Sequence, residues 1–341
     1  MNLWSDTLLY VEESRPALDG AIDTDIAIVG GGFTGLWSAY YLKQLDPSLR
    51  IVILEAERIG FGASGRNGGW CSALYPTTAG YEIVRPHLVT SIDEIGTFTR
   101  EHAPEVGFVK SGTLTIARNG AQLARLKATL TGESELLTKD QIRSRIHMRN
   151  AIGGTFTPDC AVIHPGRLVR ALAREVEKLG VRIYEKSRAI TIEPTLITTE
   201  RASVRATSII KATEVFSQHS RHHAPIYSLM VATEPLSEEI WSEIGLQQRE
   251  TFAEALHLVN YGQRTIDNRL AVGGRGARYL LGSRLNEKHE MDHRTHMEII
   301  ELTRSWFPVL KRVKFTHRWG GAVSIPRDWH PYISWDKTSG I

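Results

Sequence analysis

The spacing of apolar and polar positions changes several times along the chain, and each change marks an element. Residues 25–29, "DIAIV", form a short apolar run that ends in three glycines, the pattern of a strand buried on both faces of a parallel sheet. "TGLWSAYYLKQL" (34–45) follows as a helix, and "RIVILE" (50–55) is a second apolar run. Strand, glycine turn, helix and strand within about 30 residues predict a βαβ unit. The pattern resumes at "PGRLVRALAREVEKLG" (165–180), a helix with Pro165 near its start and Gly180 past its end, and the strand "VRIYE" (181–185) follows. "RATSIIKAT" (205–213) predicts a further strand.

The intervening segments have another character. "SGTLTIA" (111–117) and "YSLMVATEPL" (227–236) read as strands, and "HLVNYGQRTIDNRLAVGGRG" (257–276) reads as a hairpin turning near Asp267-Asn268. An amphipathic helix covers about 292–307, stopped by Pro308. The expected fold class is therefore α/β: a Rossmann-like domain (1–85, 150–225 and 315–341) interrupted by a mainly antiparallel α+β domain (86–149 and 226–314). No internal repeat is visible.

Composition narrows this picture only a little. The 341 residues suit about two domains, and 42% hydrophobic with 23% charged residues is ordinary for a globular protein. Net charge is 41 − 38 = +3, too small to point to nucleic acid, and Lys311, Arg312, Lys314 and Arg318 read as a solvated element end. Cys71 and Cys160 lie far apart without metal-ligand spacing, which suits a reducing cytoplasm. The first residues, "MNLWSDTLLYVEE", carry acids where a leader would be basic and apolar. The longest uncharged stretch, Ile26 to Leu42, is broken by glycines, so no membrane span is expected.

Candidate chemistry starts at two G-x-G-x-x-G matches, Gly30 to Gly35 and Gly60 to Gly65. Only the first follows a predicted strand and opens a helix. There Gly30 serves the tight turn, Gly32 the approach of a pyrophosphate, and Gly35 close helix–strand packing, while the helix N-terminus faces the phosphates. Phe33 and Thr34 lie within the turn, and Glu55 ends the second strand where a ribose hydroxyl would be met. A dinucleotide site is predicted. A zinc alternative arises at His289-Glu290-Met291-Asp292-His293, with His296 further on; its charged flanks and expected position at a helix start argue against it. His219, His222 and His223 read as a polar loop.

A second glycine-rich loop straight after the ribose acid is not what an NAD site requires. "RIGFGASGRNGGW" (58–70) resembles the flavoprotein superfamily of D-amino-acid oxidase, glycine oxidase and sarcosine oxidase, nearest its gamma-glutamylputrescine oxidoreductase-like branch. "AVIHPGRLVRALA" (161–173), "YEKSRAI" (184–190), "KATEVF" (211–216), "YGQRTIDNRLAVGGRG" (261–276) and "HRWGGAVSIPRDWHP" (317–331) match further family segments in the same order. The resemblance implies an FAD-binding domain and a substrate domain. It implies FAD contacts at Glu55 and Ala56, at Ser64 and Arg66 near the phosphates, at Ala189 by adenine and at Thr213. Asn67, Gly68 and Gly69 would run under the isoalloxazine, bare because a flat ring lies against them. Relatives that bind flavin covalently use a histidine in this loop or a cysteine near the return strand. Here Arg66 and Asn67 stand in the loop and no cysteine follows Cys160, so FAD is expected to be non-covalent.

The implied activity is oxidation of a C–N bond of an amine or amino acid to an imine, with hydride passing to flavin N5 and O2 as acceptor. The resemblance places Tyr261 in the substrate pocket. Arg264 and Arg275 offer planar forks to a substrate carboxylate, and Trp319 walls the flavin face. The partner is thus a small amine or amino acid, with no nucleic acid and no membrane span. In the family a strand, a glycine-rich turn and a helix follow the point where "WDKTSGI" ends, so a C-terminally truncated member is expected. The alternatives are a dehydrogenase with another acceptor and a non-catalytic truncated flavin domain.

Overall fold

The apolar runs and the alternating segments separate into two units in the computed structural model, which describes residues 2–10, 13–74, 80–130, 133–217, 223–275, 285–330, 332–336 and 341. One unit comprises Thr7–Arg66, Gly166–Ala224 and Val323–Ile341; the other comprises Met1–Asp6, Asn67–Pro165 and Pro225–Ala322. In chain order the elements are α1 (Leu3–Asp6), β1 (Gly20–Val29), α2 (Phe33–Leu45), β2 (Ile51–Leu54), β3 (Trp70–Ser72), α3 (Tyr81–His102), β4 (Thr113–Ala117), α4 (Gly120–Ala128), β5 (Glu135–Thr138), α5 (Lys139–Arg143), β6 (Gly153–Thr157), β7 (Cys160–Val162) and α6 (Pro165–Lys178). There follow β8 (Arg182–Tyr184), β9 (Thr191–Glu193), β10 (Leu196–Thr198), β11 (Ala202–Lys211), β12 (His223–Thr233), α7 (Glu238–Ile244), β13 (Thr251–Glu254), β14 (Asn260–Arg264), β15 (Leu270–Arg275), α8 (His293–Trp306) and β16 (Phe315–Pro326).

The first unit is built on a sheet in the order β8-β2-β1-β11-β10-β9. β8, β2, β1 and β11 run parallel, and β10 and β9 add an antiparallel edge. The central strands read as unbroken apolar runs because both faces are covered: Ala27, Val29, Val52, Leu54 and Ile209 are all buried in one cluster. α6 contributes a stripe of Leu168, Val169, Leu172 and Val176, all buried. Each such side chain contributes about 1.5–3 kcal/mol on leaving water. From β1 the chain crosses through α2 to β2 on one side, while β11 lies on the other, so the strand order reverses beside β1. In open parallel sheets that reversal opens a crevice at the strands' carboxyl ends.

The second unit holds a sheet in the order β16-β12-β15-β14-β13-β4-β6-β5 and a small β3–β7 pair. Its pairings described here are antiparallel except β13 with β4. The hairpin expected within 257–276 is β14–β15, with Tyr261 opposite Gly273 and Arg264 opposite Leu270; Gly276 lies outside the described residues. Asn268, at φ 60°, supplies the left-handed turn residue. The strand expected at 227–236 starts and ends earlier, at His223 and Thr233. α8 begins after Asp292, whose carboxylate accepts the Thr295 N–H at 2.9 Å, and ends before Pro308. No described helix is long and apolar enough to cross a membrane.

Candidate active site and dinucleotide cradle

At the carboxyl ends of β1, β2 and β11 lies a cavity of about 500 Å³. Gly30, Gly32, Thr34, Glu55, Ala56, Ser64, Ala189 and Thr213, eight of the residues expected at the cofactor, line it together. Gly30 sits at φ 114°, and a Cβ there would stand 2.3 Å from the carbonyl oxygen of Ala212. A Cβ on Gly35 would stand 2.1 Å from the Gly30 oxygen, so α2 approaches β1 only because this residue has none. The α2 N-terminus carries no side-chain cap, and its first turn holds no acidic residue. Ser64 takes the first N–H of this turn, at Phe33, and the N–H groups that follow it, with the positive dipole end, suit an anionic pyrophosphate.

Glu55 accepts the Gly31 N–H on one carboxylate oxygen and the Glu57 N–H on the other, both at 2.8 Å. Burial raises its pKa despite these two bonds. The second glycine loop leans on the first: Gly60 N–H donates to Gly31 O at 3.2 Å, and Ser64 Oγ accepts the Phe33 N–H at 2.9 Å. This loop repeats the local geometry of the first. Gly60 is left-handed (φ 73°) and a Cβ on Gly65 would meet the Gly60 oxygen at 2.1 Å, but a single 3-10 turn over Ala63–Gly65 replaces the helix.

Phe33, Gly35 and Arg66 are not among the cavity's lining residues. Phe33 and Gly35 support the turn from behind. The Arg66 guanidinium lies over the Phe61 ring, 4.9 Å from its centroid, not in the cavity expected to hold the phosphates. Sequence reasoning missed Gly31, Glu57, Phe61, Arg188, Lys211, Glu214 and Phe216, which are among the other residues of the lining. Glu214 is the unusual one. Its backbone is left-handed (φ 47°), its carboxylate accepts the Ser324 N–H at 2.6 Å, and burial raises its pKa. An acidic residue inside a strand-end motif gave no signal for such a position.

In the other unit, Asn67, Gly68 and Gly69 form a tight turn before β3. The Asn67 side-chain oxygen accepts the Gly69 N–H at 2.8 Å. A Cβ on Gly68 would fall 2.3 Å from the Tyr261 ring, and one on Gly69, at φ 70°, would fall 2.2 Å from Gln263 Nε2. The bare backbone expected to face a flavin ring is thus already required by two side chains of β14. Tyr261 lies edge-on to Trp70 (5.5 Å, 68°), and its hydroxyl is 3.1 Å from Ser228 Oγ. Gln263 is fully buried, donates to Gly68 O at 2.5 Å, and its Oε1 has no partner among the described residues. It escaped sequence reasoning, although the two-residue period of a strand puts it on the face of Tyr261.

The same period corrects the expectation for Arg264, which points to the opposite face of β14. Its guanidinium donates to Asn268 Oδ1 at 2.8 and 3.0 Å and to Glu238 at 2.8 Å, and lies 4.6 Å from the Trp241 ring centroid. With its fork engaged this way it is not available to a substrate carboxylate. Arg275 ends β15 opposite Ser228. Trp319 packs in the core with Trp4, Met230 and Ala271, and Tyr261 packs against that cluster. Cys160 is buried against Thr251 Oγ1 at 3.3 Å, and burial pushes its thiol up to about 11, so it is no nucleophile at neutral pH.

The zinc motif is not one helix face. His289 and Glu290 lie in a 3-10 turn, Asp292 caps the next element, and His293 opens α8. His296 is buried with Nε2 3.0 Å from Trp319 O, and burial lowers its pKa. Among the described residues no group of His, Cys, Asp or Glu is arranged to hold a metal. His219 and His222 lie outside the described residues; His223 begins β12 and stacks on Tyr332 at 5.4 Å.

A parallel sheet with a glycine turn, a helix N-terminus and an acidic residue at the end of the second strand in one cavity defines a dinucleotide-binding protein of the Rossmann type. The family model described as "DAO: FAD dependent oxidoreductase" matches residues 25–341. The gamma-glutamylputrescine oxidoreductase of Escherichia coli (strain K12) is 30% identical over 330 residues, covering 89% of this chain and 74% of that protein. The probable oxidoreductase OrdL of Rhizobium meliloti (strain 1021) is 26% identical over 372 residues, covering 96% and 80%. The crystal structure of glycine oxidase from Geobacillus kaustophilus superposes with a TM-score of 0.78 at 19% identity, covering 93% of this chain and 87% of that one. The chain belongs to the DAO family of FAD-dependent oxidoreductases and is an FAD-dependent enzyme.

Proposed function

We propose that the protein oxidises a C–N bond of a small amine or amino acid to the imine, with dioxygen as the final acceptor. FAD, when bound, supplies the hydride acceptor for this chemistry. Gly30, Gly32, Thr34 and Ser64 would hold its pyrophosphate, Glu55 a ribose hydroxyl and Ala189 the adenine. The unit of β1 is then the cofactor domain and the unit of β14 the substrate domain. The loop positions where some relatives attach flavin are Arg66 and Asn67, so the cofactor is held without a covalent bond.

The observation that carries this reading is the joint presence of the glycine cradle with its acidic residue and of the Asn67–Gly69 turn backed by Tyr261. Tyr261, Trp70 and Ser228 present aromatic and hydroxyl groups that bind an aliphatic amine in its uncharged, reactive form and orient its C–H bond. The 30%-identical relative is named for gamma-glutamylputrescine, an amine on an aliphatic chain, and a substrate of that class is proposed here. Anaerobic mixing of the FAD-loaded protein with a panel of amines and amino acids tests it. Bleaching of the flavin band by a member of the panel, then peroxide on readmitting air, is the expected result. Bleaching without peroxide refutes dioxygen as acceptor, and a band that no member bleaches refutes the substrate class.

A further inference from the structure

The backbone carbonyls of Asn67, Gly68 and Gly69 are all taken, and their three donors come from distant parts of the sequence. Trp4 Nε1 donates to Asn67 O at 2.8 Å, Gln263 Nε2 to Gly68 O at 2.5 Å, and the Ile163 N–H to Gly69 O at 2.9 Å. The first comes from α1, which precedes the span matched by the family model. Leu3 and Trp4 are nevertheless 0% and 1% exposed, as deep as any core residue of this unit. The Trp4 ring is fixed edge-on by His164 at 5.0 Å and by Trp319 at 5.9 Å, so its N–H has one direction. The Trp4 backbone N–H is in turn held by Asn2 Oδ1 at 3.1 Å.

With every carbonyl tied back and the Gly69 N–H engaged by Asn67, the Gly68 N–H has no partner among the described residues. Gln263 Oε1, on the same amide that holds Gly68 O, is buried and has no partner among the described residues. One free donor and one free acceptor, both buried, mark a face prepared for a polar ligand.

We propose that Trp4 is a positioning residue, and that the N-terminal segment is part of the frame setting the cofactor-side turn Asn67–Gly69. This rests on the reading that the turn borders the flavin. The indole N–H fixes the Asn67 carbonyl, and together with Gln263 it fixes the plane in which the Gly68 N–H is presented.

Amide hydrogen exchange of the full chain, with and without FAD, tests this in Trp4→Phe, Gln263→Met and Leu3→Ala. Trp4→Phe keeps the ring and deletes one donor; Leu3→Ala opens the same core without touching the turn. Exchange over Asn67–Trp70 is expected to rise roughly tenfold in Trp4→Phe and Gln263→Met, with β12 unchanged, as a lost buried hydrogen bond predicts. FAD binding should weaken roughly tenfold, with loss of fine structure in the flavin spectrum. Unaltered exchange over the turn in Trp4→Phe, or a rise shared by β12 as in Leu3→Ala, would reduce the indole to core packing. If Trp4→Phe does not fold, an unchanged turn in Gln263→Met overturns the frame. The comparison between variants is made on the exchange read without cofactor, so failure of the wild-type chain to bind FAD is seen separately from failure of this proposal.

Discussion

Replacing Gly30 with alanine puts the cradle geometry to a quantitative test. Two costs arise at this one residue. Its φ of 114° is a conformation that L-residues avoid at about 1–2 kcal/mol. The added Cβ would also stand 2.3 Å from Ala212 O and 2.9 Å from Ala212 C. A carbon–oxygen contact needs about 3.3 Å, so the groups must part by about 1 Å. The neighbour cannot yield easily, because it is backbone at the end of β11. Ala212 N–H donates to Val29 O at 2.8 Å, and Val29 is paired with Lys211 across the β1–β11 ladder. Overpacking against fixed structure costs about 1–3 kcal/mol.

Gly30→Ala should therefore lose about 3–4 kcal/mol, a large share of a typical domain's stability, and melt about 10 °C lower. Gly20→Ala isolates the first cost. Gly20 has φ 77°, but a Cβ there would have nothing within 4 Å, so only the backbone term of about 1 kcal/mol remains. Tryptophan-fluorescence melting and flavin titration of both variants decide the matter. Gly30→Ala should lose FAD binding, and Gly20→Ala should keep it. If the two melt within about 2 °C of each other and bind FAD equally, the close approach of β1 and β11 is not what makes glycine necessary.

Two further outcomes follow from charged side chains held by the fold. Partial desolvation in the cavity wall raises the pKa of Glu214 in the folded chain although the residue is exposed, so its contribution to stability is fully present below the unfolded carboxylate pKa and is lost as pH rises through the raised value. The melting temperature of Glu214→Gln minus that of wild type should accordingly grow from pH 4 to pH 8, and a flat difference would refute the assignment. Arg264→Lys should lose about 2 kcal/mol, by giving up two-point bonding to Asn268 and stacking on Trp241, while the Glu238 partner is largely exposed and adds little. Its KM values for amines with and without a carboxylate should shift alike; a selective loss for the carboxylated ones would restore Arg264 to the substrate.

Legibility followed burial and locality. β2 and the end of β1 were readable because a strand covered on both faces is apolar throughout, and glycines follow β1, whereas β11 was readable from apolar residues set among polar ones. α6 was readable because a full stripe, Leu168, Val169, Leu172 and Val176, is buried. α3 was not, although it is the longest helix described: it buries only Ile92, Gly96, Phe98 and Thr99, and Pro86 interrupts its pattern. β9 and β10, three residues each, are too short to show a period. α1 carried no signal either, since the partners that bury Leu3 and Trp4 lie at Met230, Ala271 and Trp319, far along the sequence.

The glycine-rich stretch shows where such reading stops. A glycine reports that backbone must be bare; it does not report what lies against it. At Gly30 and Gly32 the nearest atoms are Ala212 O and Ser64 Oγ, and at Gly68 and Gly69 they are the Tyr261 ring and Gln263 Nε2. In each case the glycine lets two parts of the protein meet. The second G-x-G-x-x-G, at Gly60 to Gly65, has the same turn as the first and no helix behind it, because its task is to brace Gly31 and Phe33 from the side. Glycines in such a fold mark the struts of the site as much as its contacts, and the strut residues that face them, Ser64, Tyr261 and Gln263, are where conservative substitutions should act most strongly on cofactor geometry.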